Sequence, residues 1–191
     1  DDNLIEKLKK HNDIHSVFHF AALKSVPESE KKPKLYLKNN VEGTKRILSL
    51  MHALSIKRII FSSSAAVYGD QEVQPITETV ALNPKSIYAH TKKQSEEFIE
   101  KQSQLDEFKA ISLRYFNPIG AHEDYVITDN FEGVNGNIMA MLIRVAIGLE
   151  EKLNIFGDDY PTADGTGERD YIHINDVIEG HFKALEKLES I

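Results

Sequence analysis

Apolar and polar positions along the chain switch between two periods, and each switch marks an element. Leu4, Ile5 and Leu8 recur at helical spacing and predict a short amphipathic helix over residues 3–11. SVFHFAA (16–22) is a compact apolar run that reads as a buried strand, and Pro27 and Pro33 read as breaks in the segment after it. Residues 34–55 place Leu35, Val41, Ile47, Leu48, Leu50 and Met51 so as to predict one long helix. KRIIFSSSA (57–65) is a second strand, with its apolar part at Ile59–Phe61 and serines at its end. The stretch 67–86 is loop-like, punctuated by Gly69, Pro75 and Pro84, and Ser86 is placed to cap a helix over about 86–103. FKAISLRYF (108–116) is a third strand. A long loop then runs from Asn117 to about Asn135, followed by a helix over 137–148 and strand-like residues 153–156. DYIHI (170–174) reads as a short strand, and Asn175 or Asp176 starts a final helix to about Leu188.

Strand and helix alternate, and the strands look buried on both faces. That order implies right-handed crossovers and a parallel α/β sheet. Such sheets bind ligands at the carboxyl ends of their strands. Here those ends are Ala21–Ala22, Ser62–Ser64 and Tyr115–Asn117. Composition narrows the options further. The 191 residues suffice for a sizeable core, and 41% hydrophobic with 28% charged residues is ordinary for a globular chain. A net charge of -7 argues against a general nucleic-acid footprint. The lysines at Lys7–Lys10 and Lys31–Lys34 are flanked by acids and read as solvated helix faces. No cysteine is present, which excludes disulfides and thiolate sites. No apolar run approaches the ~20 residues that span a bilayer.

Tyr88 and Lys92 stand four apart in SIYAHTKK (86–93). Seven tyrosines and 18 lysines in 191 residues give about 0.7 such pairs by chance, so the surroundings have to decide. On a helix over 86–103 the two share one face, one turn apart. An ammonium beside a phenol favours the phenolate. Tyrosine ordinarily titrates near pH 10, so base chemistry at neutral pH needs that help. The competing reading is a surface helix in which Lys92 pairs with Glu96, in the weaker order for an ion pair. Ser62, Ser63 and Ser64 follow an apolar strand. A hydroxyl there can bond a substrate hydroxyl near Tyr88, or merely satisfy backbone groups. His15 and His19 are four apart but fall on either side of a strand start, so no metal site is expected.

Taken together, a strand-end serine followed about two dozen residues later by Tyr-x-x-x-Lys has the order of the short-chain dehydrogenase/reductase superfamily. HFAALKSV (19–26) and NNVEGT (39–44) resemble its extended branch. SSSAAVYGD (62–70), LRYFNPIGAH (113–122) and IFGDDYPTADGTGERDYIHINDV (155–177) resemble the UDP-glucose 4-epimerase family. The resemblance covers almost the whole chain. It implies a partial NAD(P)-binding Rossmann-like parallel sheet with flanking helices, plus part of a smaller substrate-binding domain. Residues 1–120 would be the later part of the dinucleotide domain with its Ser, Tyr and Lys. Residues 121–170 would be mainly the UDP-sugar region, and 171–191 a returning strand and helix.

The implied cofactor is NAD, and the implied substrates are UDP-glucose and UDP-galactose. They would be interconverted by transient oxidation at sugar C4 and re-reduction from the opposite face. Tyr88 would be the base, Lys92 the ribose ligand that lowers the Tyr88 pKa, and Ser64 the hydroxyl that passes the O4 proton. The implied cofactor contacts are Phe20, Ala21, Ala22, Lys24, Asn39, Ser62, Tyr115 and Phe116, beside Tyr88 and Lys92. On the sugar-nucleotide side stand Ser64, Tyr88, Asn117, Asn137, Ile138, Asn154, Ile155 and Phe156. Arg169 would clamp the diphosphate, which its planar fork suits. Sugar-nucleotide 4,6-dehydratases carry an Asp-Glu pair after their strand-end Ser-Thr. Ala65 and Ala66 stand in that place here and cannot transfer protons.

The absence of cysteine fits a cytoplasmic enzyme, and the family implies a homodimer joined through the helices matching 34–55 and 86–103. One motif is absent: none of the ten glycines forms the Gly-x-Gly-x-x-Gly turn that cradles a pyrophosphate. The expectation is therefore a fragment that by itself neither holds NAD firmly nor turns over substrate. Alternatives that stay open are a 4-epimerase that also accepts UDP-N-acetylhexosamines, a non-catalytic nucleotide-sugar or NAD-binding protein of the same fold, and a parent with a fused mutarotase.

Overall fold

A computed structural model describes residues 2–11, 13–122 and 138–190 of the chain. The chain forms two units, one of Asp1–Tyr115 with Glu179–Ile191 and one of Phe116–Ile178.

The first unit is built on a three-stranded parallel sheet of β1 (Val17–His19), β2 (Arg58–Ser62) and β3 (Lys109–Leu113). β2 is central. Val17 pairs with Ile59, and Ile59 in turn with Ala110. Side chains alternate across a strand, so a strand covered on both sides must be apolar at every position. β2 meets that condition over Ile59–Phe61, the three residues between Arg58 and Ser62. Ile59 and Phe61 pack with Leu48, Met51, Ile56, Ile99 and Phe108 on one face. Ile60 packs with Ala184 and Leu188 on the other. The helices covering these faces are α4 (Glu42–Ala53) and α5 (Ile87–Asp106) on the first, and the later part of α7 (Ile174–Ser190) on the second. The expected parallel α/β sheet is thus present, with strands shorter than their apolar runs suggest. After α1 (Asp2–Leu8), β1 holds only three residues of the 16–22 run in the ladder.

Pro27 and Pro33 start helices rather than break them. Pro27 lies in the first turn of α2 (Val26–Lys31), which Ser25 caps through the Glu28 amide, and Pro33 opens α3 (Pro33–Tyr36). Proline suits a first turn, where its missing N–H has no helical partner anyway. The single helix expected over 34–55 is interrupted, because Leu37–Val41 forms a π-helical turn between α3 and α4. The cause is Asn40, whose side chain is engaged outside the helix. Its Oδ1 accepts the Leu23 N–H at 2.8 Å, and its Nδ2 donates to the Leu23 carbonyl and to Thr91 Oγ1, both at 3.0 Å. The extra residue in the turn brings Asn40 inward and leaves Asn39 exposed.

In the second unit, β4 (Asn117–Ile119) and β5 (Tyr171–His173) pair in parallel. β4 lies inside a stretch that reads as a loop, since Pro118 and Gly120 mask a strand of three residues. α6 (Ile138–Ala146) appears as expected. Residues 153–156 do not form a strand; no neighbouring strand pairs with them among the described residues. Gly165, in the DGTG sequence, has φ +76°, and a Cβ there would collide with the Asp158 backbone. Asp164 Oδ1 tightens the same turn, accepting the Thr166 N–H at 2.9 Å. Among the described residues no helix is long and apolar enough to cross a membrane.

Candidate active site

Helix α5 owes its placement to its first turn. A helix start leaves amide donors without helical partners. Here Ser86 Oγ accepts from Ala89 at 3.1 Å, Glu30 Oε1 from Ile87 at 2.8 Å, and Ser29 Oγ from Tyr88 at 3.1 Å. Ser29 is itself buried and donates to the Val26 carbonyl at 2.6 Å. A carboxylate, Glu30, therefore sits at the positive end of the helix dipole. Tyr88 is fixed in that turn and Lys92 lies one turn later.

Lys92 is not the surface lysine of the competing reading. It is 4% exposed, and its Nζ donates to the Ser62 carbonyl at 2.7 Å. Nζ also lies 4.9 Å from the Phe61 ring centroid and 6.0 Å from that of Tyr88. Glu96 is taken by a different cation: Arg114 grips it with Nη2 on Oε2 at 2.6 Å and Nε on Oε1 at 3.0 Å. Arg114 also donates to the Tyr68 hydroxyl at 3.2 Å. Burial lowers the Lys92 pKa to about 8, against the opposing pull of Glu96. An ammonium has three donors. Among the described residues the Ser62 carbonyl takes one of them, so a ligand can take the others.

Ser64 lies at the C-terminal side of β2, where its Oγ accepts the Ala66 N–H at 3.2 Å and caps a 3-10 turn (Ala65–Tyr68). The turn ends at Gly69, with φ +65°, where a Cβ would strike the Asn83 carbonyl. Burial pushes the Tyr88 phenol above its ordinary value, while a hydrogen bond from Ser64 pulls it down and the neighbouring Tyr115 and Tyr36 raise it. Serine, tyrosine and lysine are brought together as their order in the chain suggests.

The other expected residues divide between the two units. Phe20, half exposed, and Tyr115 flank His181, whose ring lies 4.5 Å and 6.0 Å from theirs. Ala22 is partly covered, while Ala21, Lys24 and Asn39 are exposed. Ser63 is buried, and its hydroxyl has no hydrogen-bond partner among the described residues. In the second unit, Phe116 is exposed and Asn117 Nδ2 donates to the Asp170 carbonyl at 3.2 Å. Ile138 begins α6, and Ile155 and Phe156 are 70% and 97% exposed, beside exposed Asn154. Arg169 Nη1 donates to the Glu168 carbonyl at 2.6 Å, and among the described residues Arg169 forms no ion pair. Asn137 lies outside the described residues. No cluster of metal-ligating side chains occurs among the described residues.

Residue-type reasoning passed over three groups. Asn40 joins the loop after β1 to α5. His19, 5% exposed, bonds Thr44 Oγ1 at 2.9 Å. Because Thr44 donates its own hydrogen to the Asn40 carbonyl at 2.7 Å, His19 is the donor through Nε2. His181 bonds Ser62 Oγ at 2.7 Å across 119 positions of sequence. The doubled asparagine of NNV was a signal for the first; nothing local marks the histidines.

Comparison with known proteins gives one answer. The model of the NAD dependent epimerase/dehydratase family matches residues 1–191. The UDP-glucose 4-epimerase of Erwinia amylovora is 47% identical over 180 residues, covering 93% of this chain and 53% of that protein. That of Bacillus subtilis is 44% identical over 189 residues, with coverage of 98% and 56%. The chain thus spans about half the length of these curated relatives. A crystal structure of UDP-glucose-4-epimerase from Stenotrophomonas maltophila, with bound NAD and formylated UDP-arabinopyranose, superposes with a TM-score of 0.93 at 40% identity. It covers 98% of this chain and 56% of that one. On its sheet, its Ser-Tyr-Lys cluster and these matches, the chain belongs to the NAD dependent epimerase/dehydratase family.

Proposed function

We propose that the chain carries the catalytic machinery of a UDP-glucose 4-epimerase. The observation that carries this reading is the Lys92 ammonium: desolvated, held by one bond to the Ser62 carbonyl, and set against the Tyr88 ring. Its uncommitted donors and the rings of Phe20 and Tyr115 fit a nicotinamide riboside. When bound, NAD supplies the hydride acceptor and donor. Tyr88 takes the proton from the sugar O4, Ser64 relays it through a hydroxyl whose oxygen is already oriented by the Ala66 amide, and Lys92 holds the ribose hydroxyls. With Tyr88 raised by burial, the charge needed to lower it comes from Lys92 drawn toward the ribose and from the oxidised ring.

Asn117 and Arg169 bind the diphosphate, while Asn137, Ile138, Asn154, Ile155 and Phe156 hold the nucleoside. Leu35, Leu37, Phe98 and Leu105 are exposed on the helices between 33 and 106 and supply apolar surface for a homodimer. A cysteine-free chain suits the cytoplasm.

The reading is tested with UDP-galactose carrying deuterium at C4. The complete gene product is expected to form UDP-glucose with the label kept at C4. Failure to interconvert the two sugars, or washout of the label into solvent, overturns it. The 191 residues alone, without a Gly-x-Gly-x-x-Gly turn, are expected to emerge from dialysis free of NAD absorbance.

A further inference from the structure

Three of the residues expected to contact the cofactor come from three different strand ends. Phe20 comes just after β1, Ser62 closes β2 and Tyr115 lies just past β3. One side chain meets all three. The His181 ring stacks on Phe20 at 4.5 Å with 29° between planes, and meets Tyr115 edge-on at 6.0 Å. Its Nε2 lies 2.7 Å from Ser62 Oγ. His181 is 2% exposed and sits on α7. Ser62 is then held at two points, its hydroxyl by His181 and its carbonyl by Lys92 at 2.7 Å.

We propose that His181 is a positioning residue for the cofactor pocket, orienting Ser62 so that its carbonyl aims the Lys92 ammonium and backing the Phe20 ring against which the nicotinamide lies. The inference rests on the function proposed above. His181 acts through Ser62 and Phe20. A ring alone would preserve the stacking. A hydrogen bond alone would preserve the serine.

The test separates those two parts in the complete gene product. His181→Phe keeps a ring but cannot bond Ser62. His181→Gln keeps an amide nitrogen near the Nε2 position. His181→Phe is expected to lower kcat about tenfold with KM for the UDP-sugar within twofold of wild type, and to shift the Lys92 titration, read by NMR of carbon-labelled lysine, by half a pH unit or more. His181→Gln is expected to recover at least a third of the rate and the wild-type titration. Wild-type kcat and titration in His181→Phe, or equal impairment in both variants, overturns the proposal. Ser62→Ala removes the same bond from the other side and decides the matter if neither histidine variant folds: an unmoved Lys92 titration then overturns it. Should wild type show no epimerase activity, the proposed function fails, while the Lys92 titration still judges His181.

Discussion

His19 and Lys92 are buried bases with opposite charge states at pH 7. Burial, and then the charge of Lys92, lower the His19 pKa from 6.5 to about 4, so it is neutral. Lys92, lowered to about 8, remains mostly protonated. Each shift has a consequence for stability. Between pH 6.5 and 4 the unfolded chain binds a proton at His19 that the folded chain refuses, so stability falls as pH drops through that window. From pH 7 to pH 5 this one group is expected to remove about 2 kcal/mol. Urea titrations of wild type and His19→Gln at both pH values measure it; equal losses in the two proteins would contradict the assignment. For Lys92 the folded pKa also lies below the unfolded one, so its penalty is present below about pH 8 and is relieved as pH rises from there to 10.5. Ser63 offers a contrast. Its buried hydroxyl has no partner to lose among the described residues, so Ser63→Ala is expected to change stability by less than about 0.5 kcal/mol or to stabilise slightly. A urea midpoint shift equivalent to more than about 1 kcal/mol of loss would speak against it.

Elements are placed by side chains that reach between them. Asn40 joins the loop at Leu23 to α5 at Thr91, whereas Asn39 is exposed and bonds only Asn40 among the described residues. Asn40→Ala leaves the partly buried Leu23 backbone groups unpaired and is expected to cost roughly 2–4 kcal/mol, with Asn39→Ala costing under about 1. Reversed costs in thermal or urea unfolding would show that the π-helical turn has another cause. Local signals in the sequence were legible where local chemistry decides: Ser86 caps α5, and the apolar run at Ile59–Phe61 is the doubly covered strand. They were illegible where a distant partner decides. The π turn depends on Leu23 and Thr91, and the serine at the end of β2 depends on a histidine 119 positions away. Leu153, Ile155 and Phe156 make 153–156 resemble a strand, but a strand exists only with a neighbour to pair with. Pro118 and Gly120 conceal a strand for the converse reason, since β5 supplies the pairing.

At the scale of the molecule, the order of elements made the parallel sheet readable, because buried strands joined by helices leave few other arrangements. The candidate site was readable as well, once Tyr88 and Lys92 were placed after Ser64 rather than judged by spacing. Spacing did not reveal burial: Lys92 is a desolvated cation aimed by a backbone carbonyl, and Glu96, its partner in the competing surface-helix reading, belongs to Arg114. The central claim is that Tyr88 is the base for proton transfer at the sugar O4. Its most direct test is the epimerisation rate of Tyr88→Phe in the complete gene product with NAD bound. The expected result is a loss of about 100-fold or more with NAD content and melting temperature unchanged. A rate within a few-fold of wild type would contradict it.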